Sequence, residues 1–244
     1  MLKLPWLLIL FTCTIGDAAA SGGGVDSLKT VLSKTTNNNA RIDLFTEIAN
    51  QFRNKDGDSM LWYAEQALLL TNEKTSPVAI VKVLNLIGIY HFQTAAYDSA
   101  IYYFERGIPN AQLAGDTAQL ASFLNNIGLC FTYKSAYEKA IDYHLQALEL
   151  KRLEGQQLPL ANSLLNLGII KRKQEQYKEA IAYYEESLAI AREFNDEKKI
   201  ANALNNIGSA YVSLNDLKKD AGYFEESIAL KRKIDDLQGL ARTF

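Results

Sequence analysis

The feature that most constrains this 244-residue chain is an internal repeat with a period of forty residues. From Arg41 the chain divides into five consecutive segments of equal length that end at Leu240 without an insertion. One glycine and one tyrosine recur at fixed positions: Gly88, Gly128, Gly168 and Gly208, and Tyr63, Tyr103, Tyr143, Tyr183 and Tyr223. A register held over so many residues predicts an array of similar structural units.

Each segment has the apolar spacing of two helices and lacks the two-residue alternation of a strand. In the third segment the first helix is predicted over Ala121–Tyr133 and the second over Ala136–Arg152. Asp116, Asp196 and Asp236 stand at equivalent outer turns, where an aspartate can cap the next helix. The recurring glycine predicts a close approach of two helices, because a larger side chain would push them apart.

These recurring residues resemble the tetratricopeptide repeat family, in which Leu-Gly is followed by Tyr, Ala, a large aromatic residue and Ala-Leu. The second segment matches with Ile87-Gly88, Tyr97, Ala100, Phe104 and Gly107-Ile108. The third has His144 at the large aromatic position, and the fifth has Leu217 and Asp220 where Tyr and Ala are usual. The resemblance implies an all-α fold, a right-handed α-α superhelical solenoid of helix-turn-helix repeats. The forty-residue spacing is similar to that of peptide-binding variants, as in bacterial exported and sensor proteins.

The predicted organisation has four parts. Residues 1–20 are a signal peptide, and residues 21–40 are a spacer with a lead-in helix. The five repeats are predicted at residues 41–80, 81–120, 121–160, 161–200 and 201–240, and residues 241–244 begin a truncated sixth repeat. Because half a helix cannot cover the last repeat, we expect either a longer natural protein or self-association through the uncapped C-terminal end.

The first twenty residues have the composition of a secretory signal. Lys3 precedes an apolar stretch over residues 4–15, and Ala18-Ala19-Ala20 supplies small residues before a cleavage site at Ser21. The stretch is shorter than a membrane span requires. The chain is therefore predicted to be exported to the periplasm or another extracytoplasmic space. Lipoprotein anchoring at Cys13 is the alternative, although Thr12 is a poor residue before an acylated cysteine.

Composition argues against several kinds of function. A formal net charge of −2 and a pI near 5.8 do not favour nucleic-acid binding. Two histidines and two cysteines are too few for a typical zinc site. Asn54, Asp56, Asp58 and Glu65 have the spacing of a calcium loop, but Ser59 stands where that loop needs glycine. We therefore predict no enzymatic activity, no cofactor and no metal, with Cys130 as a buried thiol.

The candidate binding surface follows from the repeat register. The family places the first helices along a concave groove, and one face of each first helix lies opposite the packed Ile-Gly stripe. The candidate site residues are Lys82, Asn85, Ile89, Asn125, Leu129, Tyr133, Asn162, Ile169, Arg172, Asn202 and Asn205. The asparagines could hold a peptide backbone, and Arg172 with Lys173 could hold an acidic group. Asn126, Asn166 and Asn206 follow one residue later, and any of these amides could instead tie neighbouring helices together.

Two functions fit this pattern. The first is a non-enzymatic interaction scaffold that binds a peptide or partner protein in the concave groove. The alternative is the extracytoplasmic sensor region of a bacterial signal transducer, such as a histidine kinase or a helix-turn-helix regulator, whose output domain is missing. Both share the groove and differ in what would follow Phe244.

Overall fold

The computed structural model describes residues 24–236, apart from residues 154, 156, 216 and 235, and in this part of the chain it contains helices and no strand. The helices are α1 (Val25–Lys34), α2 (Asn38–Phe52), α3 (Gly57–Leu69), α4 (Pro77–Gln93), α5 (Tyr97–Ala114), α6 (Thr117–Tyr133), α7 (Tyr137–Leu153), α8 (Gln157–Lys173), α9 (Tyr177–Glu193), α10 (Glu197–Ser213) and α11 (Leu217–Lys233). The predicted all-α, tetratricopeptide-like solenoid is confirmed.

The chain forms two compact units, Met1–Tyr90 and His91–Phe244. In the described part of the first unit, α1 packs on α2 and α2 packs on α3. Leu28, Leu44 and Ile48 form a buried cluster there, and Tyr63 packs against it. This small core contains the first of the five predicted repeats, residues 41–80.

In the second unit, successive helices pack in sequence order from α5 to α11. The first helices of its repeats are α6, α8 and α10, and the second helices are α5, α7, α9 and α11. Buried aliphatic residues of α9 and α10, such as Leu188, Leu204 and Ile207, form one continuous cluster. The apolar spacing of each helix therefore buries one stripe against its two neighbours.

In the second unit, each first helix approaches the next second helix at the recurring glycine. A Cβ atom added at Gly168 would lie 2.4 Å from Cε1 of Tyr184, and one added at Gly128 would lie 2.9 Å from the His144 ring. Both distances are shorter than an ordinary van der Waals contact. The glycine is therefore required for close helix packing, as the sequence predicted.

Short turns of one conformation end most helices. Ser135, Glu175 and Asn195 all have φ near +60°, as does Gly115. The backbone N–H of the following residue bonds back into the last helical turn, as from Ala136 to the Phe131 carbonyl at 2.9 Å. Such turns reverse the chain in few residues and keep consecutive helices antiparallel.

The predicted repeat boundaries fall inside the first helices. α6, α8 and α10 each begin four residues before residues 121, 161 and 201. The predicted caps explain the earlier start, because Asp116 accepts a hydrogen bond from the Gln119 N–H at 2.9 Å and Asp196 accepts one from Lys199 at 3.0 Å. The first turns of α6 and α10 are thus fixed by their caps rather than by apolar periodicity.

Several predicted features lie outside the described residues. These are the signal peptide at residues 1–20, the alternative anchor Cys13, the beginning of the spacer at residues 21–23 and the start of a sixth repeat at residues 241–244. Among the described helices, none is long and apolar enough to cross a membrane.

Candidate functional site

A cleft of about 280 Å³ lies between the first helices α6 and α8. We call it the first-helix cleft, and its lining residues are Leu129, Thr132, Tyr133, Asn166, Ile169 and Lys173. The lining residues of α6 are spaced three or four residues apart or adjacent, and those of α8 are spaced three or four apart, so each helix contributes one face to the cleft. The cleft thus brings together Leu129, Tyr133 and Ile169, three of the residues that the sequence predicted for a groove.

The wall of the first-helix cleft near Tyr133 is aromatic, and contacts between its rings fix their positions before any ligand binds. The Tyr133 side chain is 62% exposed, and its ring stacks on Tyr97 with centroids 5.5 Å apart. Phe92 packs edge-on against Tyr133, also at 5.5 Å. Stacked aromatic rings hold one another in place, so a ligand would meet a large apolar surface at little cost in side-chain entropy.

Lys173 supplies the positive charge of the first-helix cleft. Its neighbour Lys171 is paired with Glu179 at 2.9 Å, and Lys134 is paired with Asp98. No described carboxylate lies within ion-pair distance of Lys173, whose side chain is exposed at the end of α8. An acidic group could therefore bind Lys173 without displacing a partner from this part of the chain.

A buried polar cluster lies behind the first-helix cleft. The Asn125 side-chain oxygen accepts a hydrogen bond from Nδ2 of the cleft residue Asn166 at 3.1 Å and lies 3.2 Å from Nδ1 of His144. Ser163 donates to the same oxygen at 3.5 Å and accepts from Lys151 Nζ at 2.9 Å. This geometry supports the structural interpretation of Asn125, because its oxygen is occupied by neighbouring helices.

Burial controls the ionisation of this cluster. It lowers the pKa of His144 to about 4, with a smaller contribution from the charge of Lys151. It also lowers the pKa of Lys151 to about 8. His144 is therefore neutral at pH 7. The tautomer with the proton on Nδ1 is the one that can donate to the Asn125 oxygen, and Nε2 is buried without a hydrogen-bond partner among the described residues.

The other candidates of the second unit lie outside the first-helix cleft. Asn162 is exposed, whereas Asn202 and Asn205 are half-buried on α10. The side-chain oxygen of Asn205 is buried, and no described residue forms a hydrogen bond with it. Arg172 lies beside Tyr184, whose pKa burial raises to about 12 while the guanidinium opposes the rise. The two groups do not reach hydrogen-bond geometry.

The candidates of the first unit lie on α4. The exposed Lys82 lines a small pocket of about 200 Å³ together with Asp43 and Ser76. Asn85 and Ile89 are half-buried on the same helix.

Sequence reasoning gave too little weight to Asn166 and to the ring pair of Phe92 and Tyr97. Asn166 is adjacent to the packed stripe, so its place in the cleft lining depends on the exact helix rotation. The stacking of Tyr97 on Tyr133 joins a second helix to the next first helix. The repeat register contained this signal, because Tyr97 occupies the tyrosine position that follows Leu-Gly in the family pattern.

The groups with reactive potential are occupied or buried. Cys130 is fully buried, and burial raises its pKa to about 12. Asp56 caps α3 through Ser59, and Asp58 accepts a hydrogen bond from the Tyr90 hydroxyl at 2.9 Å. Among the described residues, no cluster of three or more His, Cys, Asp or Glu side chains could hold a metal ion.

Comparison with known proteins agrees with the repeat fold. Residues 159–233 and residues 124–158 each match a tetratricopeptide repeat family profile. No curated protein sequence matches the chain.

Three solved structures are similar to this chain at low sequence identity. BtubC (BKLC) from P. vanneervenii has 19% identity and a TM-score of 0.71, over 89% of this chain and 90% of that one. A Rap protein complexed with Competence and Sporulation Factor has 17% identity and a TM-score of 0.72, over 89% and 61%. A signal transduction ATPase with a tetratricopeptide repeat sensor, from Pyrococcus horikoshii, has 15% identity and a TM-score of 0.77, over 92% and 37%.

The chain therefore spans 90% of BtubC, but only 61% of the Rap protein and 37% of the signal transduction ATPase. At these identities the likeness establishes the fold alone. The two family matches cover residues 124–233 without a break, so this part of the chain consists of tetratricopeptide repeats, and the described residues have the fold of such repeat proteins.

Proposed function

We propose that this chain is a non-enzymatic interaction scaffold that holds an extended peptide, or an extended segment of a partner protein, in the first-helix cleft. The observation that carries the proposal is the combination of an apolar, aromatic cleft with a lysine that has no acidic partner among the described residues. Leu129, Ile169 and Tyr133 would receive an apolar side chain. Lys173 would bind a carboxylate nearby.

The comparisons support an interaction role in general terms. The tetratricopeptide fold is typical of proteins that bind other proteins, and the similar Rap protein was solved as a complex with Competence and Sporulation Factor. The cleft volume of about 280 Å³ suits one or two side chains rather than a whole domain. An extended segment would place further residues along the exposed ends of α6 and α8.

Peptide selection followed by charge reversal tests this proposal. Peptides selected from a random displayed library on the full chain should combine an aromatic or aliphatic residue with an acidic one. Lys173→Glu should then weaken binding by about tenfold or more, since a hydrogen bond to a charged group contributes about 1.5–3 kcal/mol. Tyr133→Ala should weaken binding of the same peptides.

Lys178→Glu is the matched control, because Lys178 is an exposed lysine of α9 outside the cleft lining. This variant changes the net charge equally and should bind the peptides like the unaltered chain. Selected peptides that lose the same affinity with both lysine variants would refute the site, because the effect would then arise from total charge alone.

One observation favours a second candidate function. The similar Pyrococcus horikoshii protein carries its tetratricopeptide repeats as a sensor, and the present chain spans 37% of that protein. We infer as an alternative that this chain is the exported sensor region of a longer signal transducer. The mass and compartment of the native gene product distinguish the two functions: a larger, membrane-bound product supports the sensor, and a soluble exported product of about this chain's mass supports the scaffold.

A further inference from the structure

A second open surface lies on the side of the second helices, away from the first-helix cleft. A groove of about 500 Å³ runs between α5 and α7 above α6. Leu120, Leu124 and Leu150 are among the apolar residues that line it, and Leu153, which is 77% exposed, stands at its end. We call this surface the second-helix groove.

The repeats of this chain provide an internal reference for the second-helix groove. Forty residues later, the equivalents of Ile108, Leu120 and Leu150 are Leu148, Leu160 and Ile190. Those three equivalents are at most 8% exposed, whereas Ile108, Leu120 and Leu150 are only half-buried. The same positions are therefore closed at the next repeat junction and open at this one.

The open junction differs from the closed ones at the two positions that form an ion pair in the closed junctions. At the next junction Arg152 pairs with Glu186 at 3.0 Å, and at the one after that Arg192 pairs with Glu226 at 2.9 Å.

The residues at the equivalent positions of the open junction are Gln112 and Gln146, both of which line the groove. Pro109 also lies within α5 beside Ile108, and a proline inside a helix removes a backbone hydrogen bond and bends the helix. The open junction thus lacks the ion pair that crosses the others.

The charged side chain that lines the second-helix groove is acidic. Glu149 lines it, and the lining contains no Lys or Arg. The lining residue Tyr143 has a raised pKa, first because of burial and second because of the nearby charge of Glu105. An apolar floor with acidic side chains at its edge is complementary to a partner with apolar and basic residues.

We propose that the second-helix groove binds an amphipathic helix of a partner protein that carries basic residues beside its apolar stripe. The side of the groove that α7 forms, from Tyr143 to Leu153, is about 15 Å long. This length matches apolar anchor residues spaced over about two to three turns of a bound helix. The helix would cover Leu120 and Leu150, whose equivalents Leu160 and Ile190 are buried together in one cluster at the closed junction. This surface is separate from the first-helix cleft and does not depend on the function proposed for that cleft.

A designed helix serves as the probe. A fluorescein-labelled peptide of about 18 residues, with Leu at helical three- and four-residue spacing and Lys on both flanks, should bind the full chain by fluorescence anisotropy. A peptide in which Glu replaces every Lys should bind at least about tenfold more weakly, because it meets the acidic edge of the groove.

Two variants of the chain locate the binding. Leu153→Lys removes an exposed apolar contact and adds a repelling charge, and the matched control is Leu69→Lys, since Leu69 is also 77% exposed but lies in the first unit. Gln112→Arg combined with Gln146→Glu introduces the ion pair of the closed junctions without changing net charge. We expect Leu153→Lys and the double variant each to weaken the basic probe at least about tenfold, and Leu69→Lys to leave it unchanged.

Circular dichroism should show that all these variants keep the melting temperature of the chain, because the altered side chains are on the surface. No binding of the basic probe would overturn the proposal. Equal binding of the acidic probe, or binding that survives both groove variants, would overturn it as well.

Discussion

The close contact between α8 and α9 makes Gly168→Ala a sensitive test of the packing. The added Cβ would lie 2.4 Å and 2.6 Å from two carbons of the Tyr184 ring and 3.1 Å from the Ala180 carbonyl oxygen. A normal carbon–carbon contact needs about 3.5 Å, so the ring would have to move by about 1 Å. Tyr184 is fully buried, and the carbonyl belongs to the backbone of α9, so neither group can move freely.

Overpacking of this kind costs about 1–3 kcal/mol, and alanine returns about 1 kcal/mol through its higher helix propensity. We expect a net loss of up to about 2 kcal/mol in the free energy of unfolding. For a domain of this size each kcal/mol corresponds to about 2–4 °C in Tm, which thermal denaturation followed by far-UV circular dichroism resolves.

Gly222→Ala is the matched control for Gly168→Ala. Gly222 is exposed within α11, and a Cβ added there would have no atom within 4 Å. The control should raise stability by about 0.5–1 kcal/mol, because only the helix propensity changes. If both variants raise Tm equally, the explanation of the recurring glycine by close packing is refuted.

Three further predictions concern the second unit. The pKa of His144 is about 6.5 in the unfolded chain and about 4 in the folded chain, so the unfolded chain binds more protons between these values. The free energy of unfolding should therefore decrease as the pH is lowered through this range, and at pH 5 it should be about 2 kcal/mol below its value at neutral pH. Urea denaturation at several pH values should show this decrease, and His144→Phe should remove it. An unchanged slope in that variant would contradict the assignment. Asn125→Ala should lower the free energy of unfolding by about 1–3 kcal/mol, because it leaves buried donors without an acceptor. Asn202→Ala should change the free energy of unfolding by no more than about 0.5 kcal/mol. Equal losses for the two variants in urea denaturation would exclude a structural role specific to Asn125. Glu175 has φ of +63°, so Glu175→Gly should raise the free energy of unfolding by about 0.5 kcal/mol, and a lower Tm would show that its side chain contributes more than its backbone costs.

The sequence predicted the fold because the repeat places the same physical requirement at the same position many times. Gly168 and Tyr184 form one packing unit, and equivalent units recur every forty residues. The capping role of Asp116 could also be predicted, since it depends only on residues close in sequence. Such local and repeated signals remain visible without a structure.

The site could be predicted only in part. Leu129 and Ile169 follow from helix periodicity, and they do line the cleft. The binding of Asn125 by His144 and Asn166 depends on distances between three helices, which no periodicity reports. Whether the Arg172 side chain points into the groove depends in the same way on where Tyr184 packs. The apolar pattern of the sequence therefore could not distinguish groove residues from core residues.

Methyl NMR of the chain with a library-selected peptide tests the central claim most directly. The account predicts that the methyl signals of Leu129 and Ile169 shift on titration, while those of Ile108 and Leu150 in the second-helix groove stay in place. Unchanged signals from Leu129 and Ile169, at peptide concentrations that saturate the chain, would contradict binding in the first-helix cleft.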